Sequence, residues 1–260
     1  MTYKYLVERQ NYADYAPGAV LYSLPGTPTF PLRLAGEMFQ RCVAWLPFPG
    51  PYTLYDPCCG SGYLLATLAY LHWDKIGAII ASDIDAHALS LAEANLSLLT
   101  VDGLERRIAQ IERLWCEYGK TSHHDALQSA ARLKAQLLDH LRGHTISTRI
   151  LVADVTDAQA LFDGLAGPGV QRQTIDMVLT DLPYGQHSNW QTSRADPVWC
   201  MLDALRRVIS PHTVLAIASD KAQQIVHAAY QRLERFKIGK RQITIVRLAA
   251  TGLGEKRVNL

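Results

Sequence analysis

Four aspartates close four apolar runs, and each opens onto a different turn. Asp56 ends "YTLYD" and opens the turn Pro57-Cys58-Cys59-Gly60-Ser61-Gly62. Asp83 ends "IGAIIASD" and is followed by Ile84 and Asp85. Asp154 ends "TRILVAD", and Asp181 ends "IDMVLTD" and begins Asp181-Leu182-Pro183-Tyr184-Gly185. Runs of this kind read as buried strands of a parallel sheet. In such a sheet ligands bind outside the carboxyl ends of the strands, near the point where strand order reverses. One or two carboxylates there are ordinary surface chemistry; four make a lined rim.

The glycine turn limits what the rim binds. Gly60 and Gly62 permit a tight turn and a close backbone approach to a ligand. A dinucleotide turn needs a third glycine at residue 65, where this chain has Leu65, and no Gly-Lys-Ser/Thr of a phosphate loop follows. An acid before the turn, Asp56, repels phosphate and suits positive charge. Asp83 lies 21 residues beyond Gly62, the interval at which a strand-end acid takes ribose hydroxyls. A ribose and a cation without phosphate describe S-adenosyl-L-methionine. Asp56, Pro57, Cys58, Gly60 and Gly62 would line its amino acid end, Asp83 would hold the ribose, Ile84 would flank the adenine and Asp154 would accept from its amino group. Asp85 reads as a helix cap.

The Asp181-Leu182-Pro183-Tyr184 turn suits an amine conjugated to a ring. Such a nitrogen is a poor nucleophile because its lone pair is delocalised. The Asp181 carboxylate and the Leu182 carbonyl can each accept one N–H, which favours pyramidalisation and aims the lone pair. Pro183 stiffens the turn, and Tyr184 offers a flat face for stacking. Rate would come from positioning and from stabilising charge on the nitrogen.

These residues need a scaffold that delivers strand ends to one edge, and the chain alternates accordingly. Helices are expected over "PLRLAGEMFQRCVAWLP", Gly62–Trp73, Ala86–Leu99, Asp196–Ile209 and Lys221–Tyr230. A further strand is expected at "TVLAIASD", and "RFKIGKRQITIVRLAA" reads as a closing hairpin around Gly239-Lys240. The expectation is an α/β, Rossmann-like, doubly wound seven-stranded sheet, mostly parallel with one antiparallel hairpin strand. Residues 100–147 carry helical pattern but no strand, a two-helix insertion. Residues 1–30 read as irregular, and 1–260 as one domain, with 1–50 an N-terminal extension and helix.

Composition sets the class. Hydrophobic residues make up 48% and charged residues 19% of the chain, as in ordinary globular proteins, and the net charge is only +2. Five cysteines at unpatterned spacing suit a reducing compartment. "MTYKYLVERQNYADY" lacks the apolar core of a signal peptide and no run is long enough to span a bilayer, so a cytoplasmic, membrane-free protein is expected. No second Cys or His pair stands at ligand spacing, so no metal is expected, and Cys58 and Cys59 read as small packing residues.

Taken together, Asp-Pro-x-x-Gly-x-Gly, the acid closing the second strand, and Asp-x-Pro-Tyr after the fourth resemble the class I S-adenosylmethionine-dependent methyltransferases of amino nitrogens. More narrowly, "DPCCGSGYLL", "LTDLPYG" and "PGTPTFPLRLAGEMFQR" are similar to the AviRa family of avilamycin-resistance rRNA methyltransferases. The resemblance implies transfer to the exocyclic N2 of a guanine in 23S rRNA, in a setting of antibiotic resistance, with Asp181 and Tyr184 at the guanine. It implies 23S rRNA or the large ribosomal subunit as partner. Leu182 departs from the proline usual in amino-methyltransferases. A methyltransferase of another RNA, a DNA adenine or a protein glutamine, and a nicotinamide-dependent oxidoreductase, are the alternatives.

A base in an RNA helix must be unstacked to react, which calls for a phosphate-binding surface. Eight Lys or Arg lie between residues 231 and 260 (Arg232, Arg235, Lys237, Lys240, Arg241, Arg247, Lys256, Arg257). The insertion adds Arg106, Arg107, Arg113, Lys120, Arg132, Lys134 and Arg142. Arg33, His187, Trp190 and Arg194 are candidate substrate contacts, although Arg33 could instead pair with Glu37.

Overall fold

The computed structural model describes residues 3–24, 29–166, 174–183, 190 and 195–250. Seven strands form one sheet: β1 (Tyr52–Asp56), β2 (Ile76–Asp83), β3 (Ser147–Val152), β4 (Met177–Asp181), β5 (Val214–Ser219), β6 (Tyr230–Ile238) and β7 (Arg241–Leu248). Their order is β3-β2-β1-β4-β5-β7-β6. Strands β1 to β5 are parallel, and β7 pairs antiparallel with both β5 and β6. The expected doubly wound sheet with a closing hairpin is therefore present, and strand order reverses between β1 and β4.

Alternate residues of the central strands feed opposite cores, as a pleated sheet requires. Leu54, Ile79, Leu179 and Ala216 join one cluster. It is covered by α1 (Leu32–Val43), α2 (Tyr63–Leu71), α3 (Ala86–Ser97), α4 (Val101–Tyr118) and α5 (Thr121–His140). Tyr55, Ile80, Val178 and Leu215 join the other, under α6 (Ala158–Ala166) and α7 (Pro197–Leu205). Local chemistry sets the helix starts. Asp85 Oδ1 accepts the His87 N–H at 2.8 Å and caps α3 as expected, Thr100 Oγ1 caps α4 at Gly103 N–H, and Asp196 Oδ1 caps α7 at Trp199 N–H.

Two expectations fail. No helix occupies Lys221–Tyr230. Asp220 Oδ1 accepts the Ala222 and Gln223 N–H groups in a tight turn, the backbone then runs on without helix, and β6 begins at Tyr230. Helix α6 is absent from the sequence expectation; Asp157 Oδ1 caps it by accepting the Gln159 and Ala160 N–H groups.

The N-terminal residues, apart from a single 3-10 turn at Ala13–Tyr15, are irregular as expected, yet they are held firmly. The insertion grips them. Arg107, buried on α4, donates to the Val20 and Ala19 carbonyls and lies over the Tyr22 ring. Arg132 of α5 pairs with Asp14 at 2.6 Å, and Tyr15 Oη donates to Gln136. Arg107 and Arg132 are thus committed to packing rather than free for RNA, and Lys134 is paired with Glu105 at 2.7 Å. No helix of the described residues is long and apolar enough to cross a membrane.

Candidate active site

The strand order puts the ends of β1 and β4 side by side, and the glycine turn leaves β1 there. Gly60 (φ +52°) and Gly62 (φ +68°) both adopt the left-handed backbone that disfavours a side chain. Gly60 faces open space, whereas a Cβ on Gly62 would lie 3.0 Å from the Cα and Cβ of Ala92 on α3. Gly62→Ala is therefore expected to cost about 2–4 kcal/mol from backbone strain and crowding. Thermal melting should register a fall of roughly 5–15 °C. Gly60→Ala, with strain alone, should lose less; equal losses would refute the α2–α3 contact as the cause.

The turn is tied to β2. Cys59 N–H donates to the Ser82 carbonyl at 3.0 Å, and Gly60 N–H donates to Asp83 Oδ2 at 2.8 Å. The other oxygen, Asp83 Oδ1, accepts the Asp85 N–H at 3.0 Å. Each oxygen of Asp83 thus holds one backbone donor and keeps capacity for another. Burial raises the Asp83 pKa against the opposing pull of these N–H groups. Ile84 comes next in the chain, exposed at the rim.

Asp56 is buried, 2% exposed. Its pKa is pushed up to about 7, first by burial and then by the negative charges of Asp83 and Asp181, while the Thr180 hydroxyl and the Cys58 N–H pull it back. Among the described residues no Lys, Arg or His makes an ion pair with Asp56 or Asp83. Asp56 thus sits beside two further strand-end acids that raise its proton affinity, and the Asp56–Asp83 side of the site is short of positive charge. Burial and the nearby carboxylates also hold the Cys58 and Cys59 thiols protonated. That suits packing, not a thiolate nucleophile. Asp154 Oδ1 accepts from both the N–H and the hydroxyl of Thr156, so this oxygen shapes the loop after β3.

Across the switch point, β4 ends at Asp181. Leu182 is buried, and its N–H donates to the Ala218 carbonyl at 3.0 Å. The Pro183 carbonyl accepts from Gln223 Nε2 at 2.9 Å, so the loop after β5 braces the Asp181-Leu182-Pro183 turn. Arg241, first residue of β7, brings Nη2 to 3.8 Å from Asp181 Oδ2. Tyr184, His187 and Arg194 lie outside the described residues. Trp190, partly buried, packs against the second core cluster. Arg33 does not pair with Glu37: it donates to the Leu6 and Val7 carbonyls and lies over Tyr3, while Glu37 binds Arg41 and three N-terminal N–H groups. Sequence reading overlooks Asn95. Buried on α3, it ties the Ser61 carbonyl of the glycine turn to Tyr22 of the N-terminal segment.

A doubly wound sheet with an antiparallel seventh strand, a glycine turn after β1 and an acid closing β2 defines a class I methyltransferase. The chain belongs to the AviRa rRNA methyltransferase family, whose model matches residues 1–241. It is 44% identical over 248 residues to a Streptomyces viridochromogenes protein named 23S rRNA (guanine(2535)-N(1))-methyltransferase, covering 95% of this chain and 96% of that one. Two solved structures of rRNA methyltransferase AviRa from Streptomyces viridochromogenes superpose with TM-scores of 0.83 and 0.84 at 43% and 42% identity, each covering 95% of this chain and 96% of theirs. This membership sets aside the nicotinamide-dependent oxidoreductase.

Proposed function

We propose that this chain uses S-adenosyl-L-methionine to methylate the Watson–Crick edge of a guanine in 23S rRNA, at the exocyclic N2. The observation that carries it is the juxtaposition, at one switch point, of the cation-poor carboxylate rim and the braced Asp181-Leu182-Pro183 turn. Family membership and the 44% identical relative support the substrate.

The rim fits the cofactor's chemistry. Bound, S-adenosyl-L-methionine supplies an electrophilic methyl group. Asp56 offers its charge to the ammonium end, the glycine turn admits close contact, Asp83 accepts from the ribose, and Ile84 and Asp154 border the adenine. On the other side Asp181 and the Leu182 carbonyl accept the two N–H bonds of the guanine amine. They orient its lone pair and stabilise the positive charge that grows on nitrogen. Tyr184 stacks on the base; His187, Trp190 and Arg194 contact its surroundings.

The relative's name favours a second reading, transfer to N1, the neighbouring atom of the same edge. There Asp181 would remove the N1 proton. The turn offers two acceptors, the Asp181 carboxylate and the Leu182 carbonyl, which match the two N–H bonds of the exocyclic amine rather than the single N–H of N1, and this favours N2. Incubation of the protein with labelled cofactor and 23S rRNA, 16S rRNA, tRNA or total protein, followed by nucleoside mass spectrometry, decides. N2-methylguanosine in 23S rRNA is the expected product, N1-methylguanosine would move the target atom, and label confined to tRNA or protein would refute the ribosomal substrate.

Asp56 adds a pH signature. A carboxyl raised in the folded state contributes stability that is complete below the unfolded value near 3.8 and is lost as pH rises through about 7. Asp83 shifts in the same direction. The free protein should therefore lose melting temperature across that window. Cofactor affinity should move the other way, because the cation needs the ionised acid: calorimetry should find about a tenfold gain between about pH 6 and about pH 8. Asp56→Asn should flatten the affinity trend and reduce the melting trend to the part that Asp83 contributes; an unchanged affinity profile would remove Asp56 from the cofactor site.

A further inference from the structure

The β6–β7 hairpin carries a charged feature that the reaction itself does not use. A shallow cleft of about 480 Å³ opens beside its tip, lined by Arg235, Phe236, Lys237, Ile238, Gly239 and Gln242. Lys221, exposed on the loop after β5, reaches the same place. Its charge lies close enough to hold the exposed Lys237 ammonium below the usual lysine range. Elsewhere the fold neutralises many of its cations: Arg41, Arg132, Lys134 and Arg206 meet carboxylates at 2.6–2.7 Å. Among the described residues Lys221, Arg235 and Lys237 meet none within 4.0 Å. Arg235 Nη2 instead donates to Gln242 Oε1 at 2.6 Å, which fixes the guanidinium beside the cleft. Asp220, the nearest acid in sequence to Lys221, spends Oδ1 on the turn it caps. Crowded like charges with no internal counterion repel one another, and a bound polyanion would relieve that repulsion.

Position identifies the polyanion. In the sheet register Asp181 pairs with Ala218, Ala218 with Ile243, and Ile243 with Phe236, one row across four strands. At about 4.8 Å per strand the cleft stands roughly 15 Å from the Asp181 carboxylate, along the same carboxyl-end rim. Two contacts couple it to the catalytic turn: Arg241, next to the cleft residue Gln242, faces Asp181, and Gln223, two residues from Lys221, holds the Pro183 carbonyl. A strand of nucleic acid whose base enters at Asp181 must lead its backbone away over this rim.

We propose that Lys221, Arg235 and Lys237 form a binding site for the RNA backbone a few nucleotides from the methylated base, a reading that rests on RNA being the substrate. The test compares wild type with the triple variant Lys221→Gln, Arg235→Gln, Lys237→Gln, after melting curves and cofactor calorimetry show both folded and loaded alike. The substrates are 23S rRNA transcript and assembled large subunits, at several salt concentrations. The variant should need at least tenfold more transcript for half-maximal rate, with the saturated rate kept. The slope of log affinity against log salt should fall by about 0.7 for each cation removed. Unchanged affinity and slope, with wild type active on RNA, would overturn the cleft alone. Wild type inactive on every RNA but active on protein would overturn the substrate reading and the cleft with it. A variant normal on transcript but defective on subunits would overturn the RNA contact and assign the patch to a ribosomal protein.

Discussion

Asp181→Ala is expected to abolish methyl transfer while leaving cofactor binding intact. Removing a preorganised group that stabilises developing charge typically costs two to three orders of magnitude in rate, and a loss of about 100- to 1000-fold is expected here. The carboxylate closes β4 beside Leu182, whose N–H is anchored to Ala218, and its position is further set by Arg241. It sits across the switch point from Asp83, so cofactor affinity measured by calorimetry should change less than threefold. Asp181→Asn separates the two target atoms. An amide oxygen still accepts an N–H from the guanine amine, so transfer to N2 should retain part of its rate. An amide cannot take a proton, so transfer to N1 should fall as far as in Asp181→Ala. Activity of Asp181→Ala within tenfold of wild type would refute a catalytic role for this carboxylate.

How much of the fold and the site is legible in the sequence depends on the range of each interaction. Strands β1 and β2 can be read residue for residue, because a strand covered on both faces is a continuous apolar run between breaks. The glycine turn and the strand-end acids are legible for the same reason, being local in the chain. Helix α6 escapes sequence reading although a parallel sheet demands a crossover between β3 and β4. It is nine residues with a glycine near its end, too short to declare a period. The reverse error at Lys221–Tyr230 comes from good helix-forming composition without an apolar face: Ile225 is buried, but Val226 is 68% exposed. The Asp220 turn outweighs propensity there. What no local pattern can reveal is long-range. Arg241 reaches Asp181 from 60 positions away. Arg107 reads in the sequence as a cation for RNA, and only the packed fold shows it buried against the N-terminal carbonyls. The family resemblance adds what the residues alone leave open, the identity of the nucleic acid.

Asp83→Ala should weaken S-adenosyl-L-methionine binding by roughly tenfold to a hundredfold, the loss of one or two hydrogen bonds to a charged acceptor. Two causes would contribute, and they are separable. The substitution releases the Gly60 N–H from Oδ2 and the Asp85 N–H from Oδ1, so the glycine turn loosens for any ligand. It also removes the acceptor proposed for the ribose hydroxyls. Comparing the cofactor with an analogue lacking those hydroxyls closes a thermodynamic cycle. If Asp83 holds the ribose, the substitution should weaken the parent cofactor several-fold more than the analogue. Equal losses would reduce Asp83 to a brace for the turn, and an unchanged affinity would remove it from the site. Asp83→Asn is no gentle control. Both carboxylate oxygens already accept backbone N–H groups, so the amide would set its own NH2 against one of them. It should therefore bind cofactor no better than the alanine variant. The ordering of these two substitutions tests whether the carboxylate, with both oxygens accepting, is what joins the glycine turn to the end of β2.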